Sequence, residues 1–287
     1  MTGSPADRVG LSWRPELAAG ILAHLDQIDL VELMTDDLLA ARSADRRALD
    51  VLRAQLPVVL HGVGLGLASS DAVDPARLDR VARVVERFEP LYWSEHLAFV
   101  RAGGIEIGHL AAPPRTDATI EGTARNLARA RRAVGTLPLM ENVATLLEPP
   151  ASRYGEAEWT ARVLAASGCE LLLDLHNLHA NAHNGGFSAE SFLAAIDLGR
   201  VGAVHLAGGR IVRRADGETR VVDDHLHAVP AAVLELLSEI AARAPRPLAV
   251  IIERDGHYPP FGELLAEVAA ARRALERGRL RRAGWRP

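Results

Sequence analysis

Short apolar runs recur along the chain, separated by stretches whose apolar residues return every three or four positions. The runs are VGLSW (9–13), IDLVELM (28–34), PVVLHGVGL (57–65), LYWSEHLAF (91–99), PLMENV (138–143), ELLLDLHN (170–177), AVHLAGG (203–209) and LAVIIERD (248–255). Between most of them lie helical patterns such as PARLDRVARVVERF (75–88), TIEGTARNLARARRAV (119–134) and EAEWTARVLAASG (156–168). Strands that are apolar almost throughout are buried on both faces, and their alternation with helices makes a parallel sheet. Eight such units in 287 residues predict a single (β/α)8 barrel of TIM type, in the α/β class. A doubly wound open sheet is the competing arrangement. No Pro/Gly/Ser-rich linker divides the chain, so one domain is expected over 1–287. The barrel would occupy about 9–270, with a basic C-terminal tail at about 271–287. After the seventh run, GRIVRRADGETRVVDDHLH (209–227) alternates around ADGE and predicts a small β-ribbon over the barrel mouth.

Composition narrows the class of function. The chain is 48% hydrophobic and 24% charged, ample for a large core. No stretch approaches the length of a membrane span, and the opening MTGSPADRVG lacks the pattern of an export signal. One cysteine, Cys169, cannot form an internal disulfide, so a cytoplasmic protein is expected. All 33 basic residues are arginine. The absence of lysine excludes Schiff-base aldolases, pyridoxal-phosphate enzymes and P-loop nucleotide hydrolases. A net charge of -4 argues against a dedicated nucleic-acid binder. The basic C-terminal RRALERGRLRRAGWRP, with Trp285, is the exception and reads as a solvated helix end and loose tail.

The candidate chemistry lies at the ends of the runs, where a barrel of this kind gathers its active-site residues. The third run carries His61, the fourth Glu95 and His96, and the fifth Glu141 and Asn142. The sixth ends in Asp174, His176 and Asn177, and the seventh holds His205. The ribbon adds Asp223, Asp224, His225 and His227, and the eighth run ends in Glu253. Any one of these residues alone reads as a hydrogen-bonded histidine, a helix cap or an ion-pair member. Together they would crowd carboxylates on one rim, which is repulsive unless cations neutralise them. Mixed imidazole and carboxylate donors suit Fe, Mn or Zn, and the supply exceeds what one ion needs, so two or three ions are expected. Nucleophilic alternatives do poorly. Cys169 opens the sixth run at the far end of the barrel, where it reads as core, and no G-x-S-x-G or nicotinamide fingerprint is present.

In order, HGVGL, SEHLAF, MENV, LLLDLHN, HLAGG, VVDDHLH and IIERD, preceded by VGLSWRPE and IDLVEL, resemble the DUF692 family of multinuclear non-haem iron-dependent oxidative enzymes. The resemblance runs from about residue 9 to 270. It implies a TIM-type barrel holding two or three iron ions. The enzyme would use dioxygen to rebuild cysteine or other residues of a ribosomally made precursor peptide, which a leader-binding partner protein often delivers. The ligand order is also similar to that of xylose-isomerase-like barrels, including trinuclear zinc endonucleases. By that likeness His61, His96 and Glu141 hold one ion, and Glu141 bridges to a second completed by Asp174, His205 and Glu253. Asn177, Asp223 and His225 form a third position, weakened because an amide is a poorer ligand than imidazole. Asn142 and His176 would orient ligands or substrate beside the catalytic Glu141, and Arg210 and Arg254 would contact the peptide. The chain departs from the family pattern at Leu226 (often Asp), at Asn184-Gly185-Gly186 (often Asn-His-Gly), at Gly209 (often His) and at Arg254 (often aromatic).

Two other classes fit the same residues. One is a zinc or manganese hydrolase or sugar isomerase, although an isomerase would want a lysine and a repair nuclease a basic, aromatic-lined groove. The other is a degenerate, non-catalytic barrel acting as a binding partner. Metal content discriminates among the three.

Overall fold

The computed structural model describes residues 6–40 and 43–284. Twelve strands are formed: β1 (Arg8–Ser12), β2 (Val31–Met34), β3 (Val58–His61), β4 (Trp93–His96), β5 (Phe99–Ala102), β6 (Ile105–Ala111), β7 (Leu139–Glu141), β8 (Leu171–Asp174), β9 (Val201–Leu206), β10 (Gly209–Arg213), β11 (Thr219–Asp223) and β12 (Ala249–Ile252). Eight of them close a parallel barrel in the order β1-β2-β3-β4-β7-β8-β9-β12, each from one of the eight apolar runs. The helices are α1 (Ala18–Ala23), α2 (Thr35–Ala40), α3 (Ser43–Arg53), α4 (Pro75–Phe88), α5 (Asp117–Val134), α6 (Glu156–Ser167), α7 (Leu175–Gly185), α8 (Ala189–Ala195), α9 (Ala231–Arg243) and α10 (Phe261–Arg282). None is long and apolar enough to cross a membrane. The competing open sheet is excluded by the closure between β1 and β12.

Side chains alternate across each barrel strand, and both faces are buried for different reasons. Outward-facing Val9, Leu11, Val31, Leu33, Val58, Leu60, Met140, Leu171, Leu173, Val204 and Val250 pack in the main core cluster with the helices. Inside, Leu30, Val59, Leu139, Leu172, Ala203 and Ile251 form an apolar floor around Tyr92. Two positions further along the same strands stand Glu32, His61, Ser94, Glu141, Asp174, His205 and Glu253, all buried. The barrel is thus apolar at its floor and polar at its rim.

Two antiparallel hairpins flank the mouth. β10–β11 is the expected ribbon, paired from Gly209↔Asp223 to Arg213↔Thr219. β5–β6 is not expected from the sequence, because LYWSEHLAF reads as one run as far as Phe99. The strand instead stops at His96, and the chain turns through Gly103-Gly104 into a second ribbon. The helix end expected in the basic segment is formed: α10 continues to Arg282, with Arg279 bonded to Asp7 and to the carbonyls of Ala241 and Ala244. Trp285 lies outside the described residues. Cys169 is buried, and burial pushes its thiol up to about 11, as befits a core residue.

β1 approaches the segment before β2 closely enough to require glycine. A Cβ at Gly10 would lie 2.0 Å from the Leu30 carbonyl oxygen and 2.8 Å from its carbon. Backbone cannot yield as a side-chain tip can, so Gly10→Ala is expected to destabilise by about 3 kcal/mol. Urea unfolding followed by circular dichroism checks this, and an unchanged midpoint contradicts it.

Candidate metal centre

The rim residues converge on Glu141 at the end of β7. Its Oε2 lies 3.3 Å from His61 Nε2 and 3.2 Å from His96 Nε2, and its Oε1 lies 3.2 Å from His205 Nδ1. Glu253 Oε2 approaches the same His205 nitrogen at 3.2 Å. Donor atoms of His61, His96 and Glu141 cluster within 4.8 Å of one another, and so do those of Glu141, Asp174, His205 and Glu253. These clusters coincide with the first two groups expected from the sequence. A further cluster joins Glu32, His61 and His205.

Each of the three histidines has its outer nitrogen tied. His96 Nδ1 donates to the Gly62 carbonyl at 3.0 Å. His61 Nδ1 donates to Ser94 Oγ at 2.8 Å, whose own hydroxyl donates to the Leu60 carbonyl. His205 Nε2 donates to Glu32 Oε2 at 2.8 Å. An imidazole that donates through one nitrogen presents a lone pair at the other, so three lone pairs are aimed at Glu141. Lone pairs facing carboxylate oxygens need a positive charge between them.

Glu141 Oε2, Asp174 Oδ2, Asn177 Oδ1 and His205 Nδ1 are buried with no hydrogen-bond partner. Orphaned atoms of this kind are rare and point to something that completes them. The donor set therefore fits metal ions. Protons do part of that work in the bare chain. Although burial opposes it, Glu253, Glu32 and Glu141 hold the His205 imidazolium well above its ordinary range. Glu253, Asp223 and Asp255 do the same for His225, again against burial. Burial lowers His61, keeping it neutral. Burial would raise Glu141, but the surrounding His205, His96 and His61 hold it below the usual carboxylate value. Asp174 is pushed well above that value by burial and by Glu141 and Asp223.

The third group is looser. His225 Nε2 lies 3.0 Å from Asp223 Oδ1, and His225 adopts a left-handed backbone, φ 54°, that aims its ring inward. Hydrogen bonds from His176 and His225 outweigh burial and hold Asp223 at about 2. Asn177, Asp223 and His225 line one cavity of about 430 Å³ together with His61, His96, Glu141 and Glu253. His109 and Leu110 of the unexpected hairpin close one side, and Val221 and Val222 of the ribbon the other.

Asn142 and His176, expected to orient ligands or substrate, make their bonds to neighbouring protein groups. Asn142 exchanges two hydrogen bonds of 2.9 Å with the backbone of Asp174, pinning the tip of β8. His176 donates through Nδ1 to Asp223 Oδ1 at 2.7 Å. Neither lines the cavity. Gly209 is required by its ribbon partner and by His176, since a Cβ there would sit 2.2 Å from the Val222 carbonyl oxygen and 2.6 Å from the His176 ring. Asn184 exchanges bonds with the backbone of Val221 and fastens the ribbon to α7.

Of the two arginines expected to meet the peptide, neither lines the cavity. Arg254 is buried against Glu267 of α10 at 2.8 Å, because the side chain after Glu253 points out of the barrel. Arg210 is exposed on the ribbon, 3.5 Å from Asp224, and does not line the cavity. Arg14, paired with Asp255, is the arginine that does. Glu32 was missed, although it stands two residues after Leu30 in the same inward register as the other rim residues.

The profile of the RiPP precursor modification enzymes MbnB/TglH/ChrH (RiPP: ribosomally made, post-translationally modified peptide) matches residues 8–276. A UPF0276 protein of Anaeromyxobacter sp. strain Fw109-5 is 34% identical over 278 residues, covering 94% of this chain and 96% of that protein. A UPF0276 protein of Bordetella parapertussis is 33% identical, covering 96% and 95%. Among solved structures, D-psicose 3-epimerase from Clostridium cellulolyticum aligns over 95% of this chain and 98% of its own, with TM-score 0.58 and 12% identity. Endonuclease IV from Thermus thermophilus aligns over 94% and 98%, with TM-score 0.55 and 18% identity. At those identities the likeness is one of fold.

Proposed function

Because the chain belongs to the RiPP precursor modification enzyme family MbnB/TglH/ChrH, also grouped as UPF0276, we propose that it is an iron-dependent oxidative enzyme that uses dioxygen to rebuild cysteine residues of a precursor peptide. The observation that carries the reading is the convergence of three tied histidines on Glu141, which with His61 and His96 lines one open cavity. His61, His96 and Glu141 would hold a first ion, and Glu141, Asp174, His205 and Glu253 a second. Asn177, Asp223 and His225 would serve a weaker third. Bound iron supplies affinity for a thiolate sulfur and the capacity to pass electrons to dioxygen.

The chain's own residues do the rest. Ser94, Gly62 and Glu32 hold the histidine rings so that only one nitrogen of each faces inward. Asn142 and His176 fix Asp174 and Asp223. Val143, Ala144, Leu146, Leu110, Val221 and Val222 give the cavity an apolar wall that sheds water around a peptide side chain. The opening between two hairpins admits an extended segment, which a partner protein holding the leader would present.

Metal analysis of protein purified without added metal, with an optical spectrum under air, tests the reading. Two or three irons per chain, with ferric absorption that bleaches on reduction, is the expected result. Zinc or manganese alone would redirect it to hydrolase or isomerase chemistry. No metal even after anaerobic ferrous reconstitution would overturn it. A cysteine-containing precursor encoded beside the gene, incubated with ferrous iron and air, should change mass.

Metal retention should fall with acid. His205 and His225 hold protons above the ordinary imidazole range and Asp174 above the carboxylate range, so an arriving ion must displace them. Affinity then rises with pH, and ions are released as the medium is acidified. Metal retained after desalting at a series of falling pH values checks the sign.

A further inference from the structure

We infer that Glu32 is a positioning residue that sets the second metal position, by holding His205 in the tautomer whose Nδ1 is the donor. The inference rests on the reading of the rim as a metal centre. Glu32 stands on β2 and His205 on β9, and both side chains are fully buried. Only a hydrogen bond of 2.8 Å joins Glu32 Oε2 to His205 Nε2. A carboxylate ionised in that bond accepts and does not donate, so the proton belongs to Nε2. With Nε2 keeping its proton, an ion that displaces the second imidazolium proton would take the Nδ1 lone pair, between Glu141 Oε1 and Glu253 Oε2 at 3.2 Å each.

The three rim histidines differ in what backs them. His61 and His96 are tied to neutral acceptors, the Ser94 hydroxyl and the Gly62 carbonyl. His205 alone of the three is tied to a carboxylate. A full negative charge behind the ring makes its inner nitrogen a stronger donor, and the effect is confined to one ion of the pair.

Glu32 could instead be read as a ligand itself, since its Oε1 is buried without a partner and it clusters with His61 and His205. Donor supply decides against that. On the Glu32 side an ion would find two residues plus His61, whose Nε2 already faces Glu141. On the Nδ1 side it finds Glu141, Asp174 and Glu253 as well as His205.

The test uses the full chain, stripped with a chelator and titrated anaerobically with ferrous iron and, separately, with zinc. Wild-type protein is expected to take up two ions tightly. Glu32→Gln keeps an acceptor oxygen without the charge and should weaken one ion by about tenfold; Glu32→Ala should weaken the same ion by about a hundredfold. The ion held by His61, His96 and Glu141 should be unaffected in both. Ser94→Ala should show the reverse selectivity, weakening the ion that His61 serves. ¹⁵N shifts of His205 should report a ring bound through Nδ1 with Nε2–H in zinc-loaded wild type, and an uncoordinated ring in Glu32→Ala at zinc concentrations that still fill the first position.

A merely structural role would lower the unfolding midpoint of the metal-free variants and weaken both ions alike, and that outcome overturns the inference. So does wild-type affinity in both Glu32 variants. If Glu32→Ala does not fold, the near-isosteric Glu32→Gln carries the test alone. A wild-type chain that binds neither ferrous iron nor zinc overturns the metal-centre reading and this inference with it.

Discussion

Glu141→Ala is expected to strip both ions of the pair and to take peptide modification to background, whereas His96→Ala should cost one ion. The difference follows from what each side chain faces. His96 Nε2 faces Glu141 Oε2 alone, at 3.2 Å. Glu141 faces His61 and His96 with one oxygen and His205 with the other. Removing it leaves the first position with two histidines and the second with Asp174, His205 and Glu253, without the carboxylate that would serve both. Two neighbouring cations that lose a shared anion would lose charge neutralisation together. Metal per chain should fall below one in Glu141→Ala and by about one in His96→Ala. Metal analysis and mass spectrometry of the peptide measure both, with circular dichroism to establish that each variant folds. Equal losses in the two variants would mean that Glu141 does not bridge.

The rim was legible in the sequence because barrel topology converts linear order into a ring. His61, His96, Glu141, Asp174, His205 and Glu253 each end or interrupt an apolar run, and closure of the sheet brings those ends together whatever the loops do. Glu32 meets the same rule, interrupting IDLVELM as His205 interrupts AVHLAGG, but it is the one rim acid with no second polar residue within two positions of it. Its signal was periodic: an acid in an otherwise apolar strand, in phase with Leu30. Arg254 stands outside the cavity for a related reason. Arg254 follows Glu253, and adjacent strand residues point to opposite faces, so a residue beside an inward ligand is committed to the outside. The hairpin β5–β6 was hidden because SEHLAF reads as one apolar stretch, and only Gly103-Gly104 marks the turn.

Asn177→His is expected to complete the third position and raise metal content toward one more ion per chain. Asn177 is the third residue of α7, whose first turn is capped by Asp174 Oδ1 accepting from the Asn177 backbone N–H at 2.6 Å. That bond depends on the backbone and survives substitution. The side chain spends Nδ2 on the Asn142 carbonyl at 3.0 Å and leaves Oδ1 buried with no partner. A neutral amide oxygen is a weak donor for iron or zinc, while an imidazole nitrogen is a strong one. Asp223 and His225 already share the cavity and stand 3.0 Å apart. The substitution forfeits one buried hydrogen bond, about 1 kcal/mol, and the cavity of about 430 Å³ gives the larger ring room. The gain should vanish in Asn177→His combined with Asp223→Asn, because the ion then loses its only carboxylate at that position. It should persist with His96→Ala, which acts on the first position alone. A folded Asn177→His chain with wild-type metal content would show that Asp223 and His225 hold each other and not an ion.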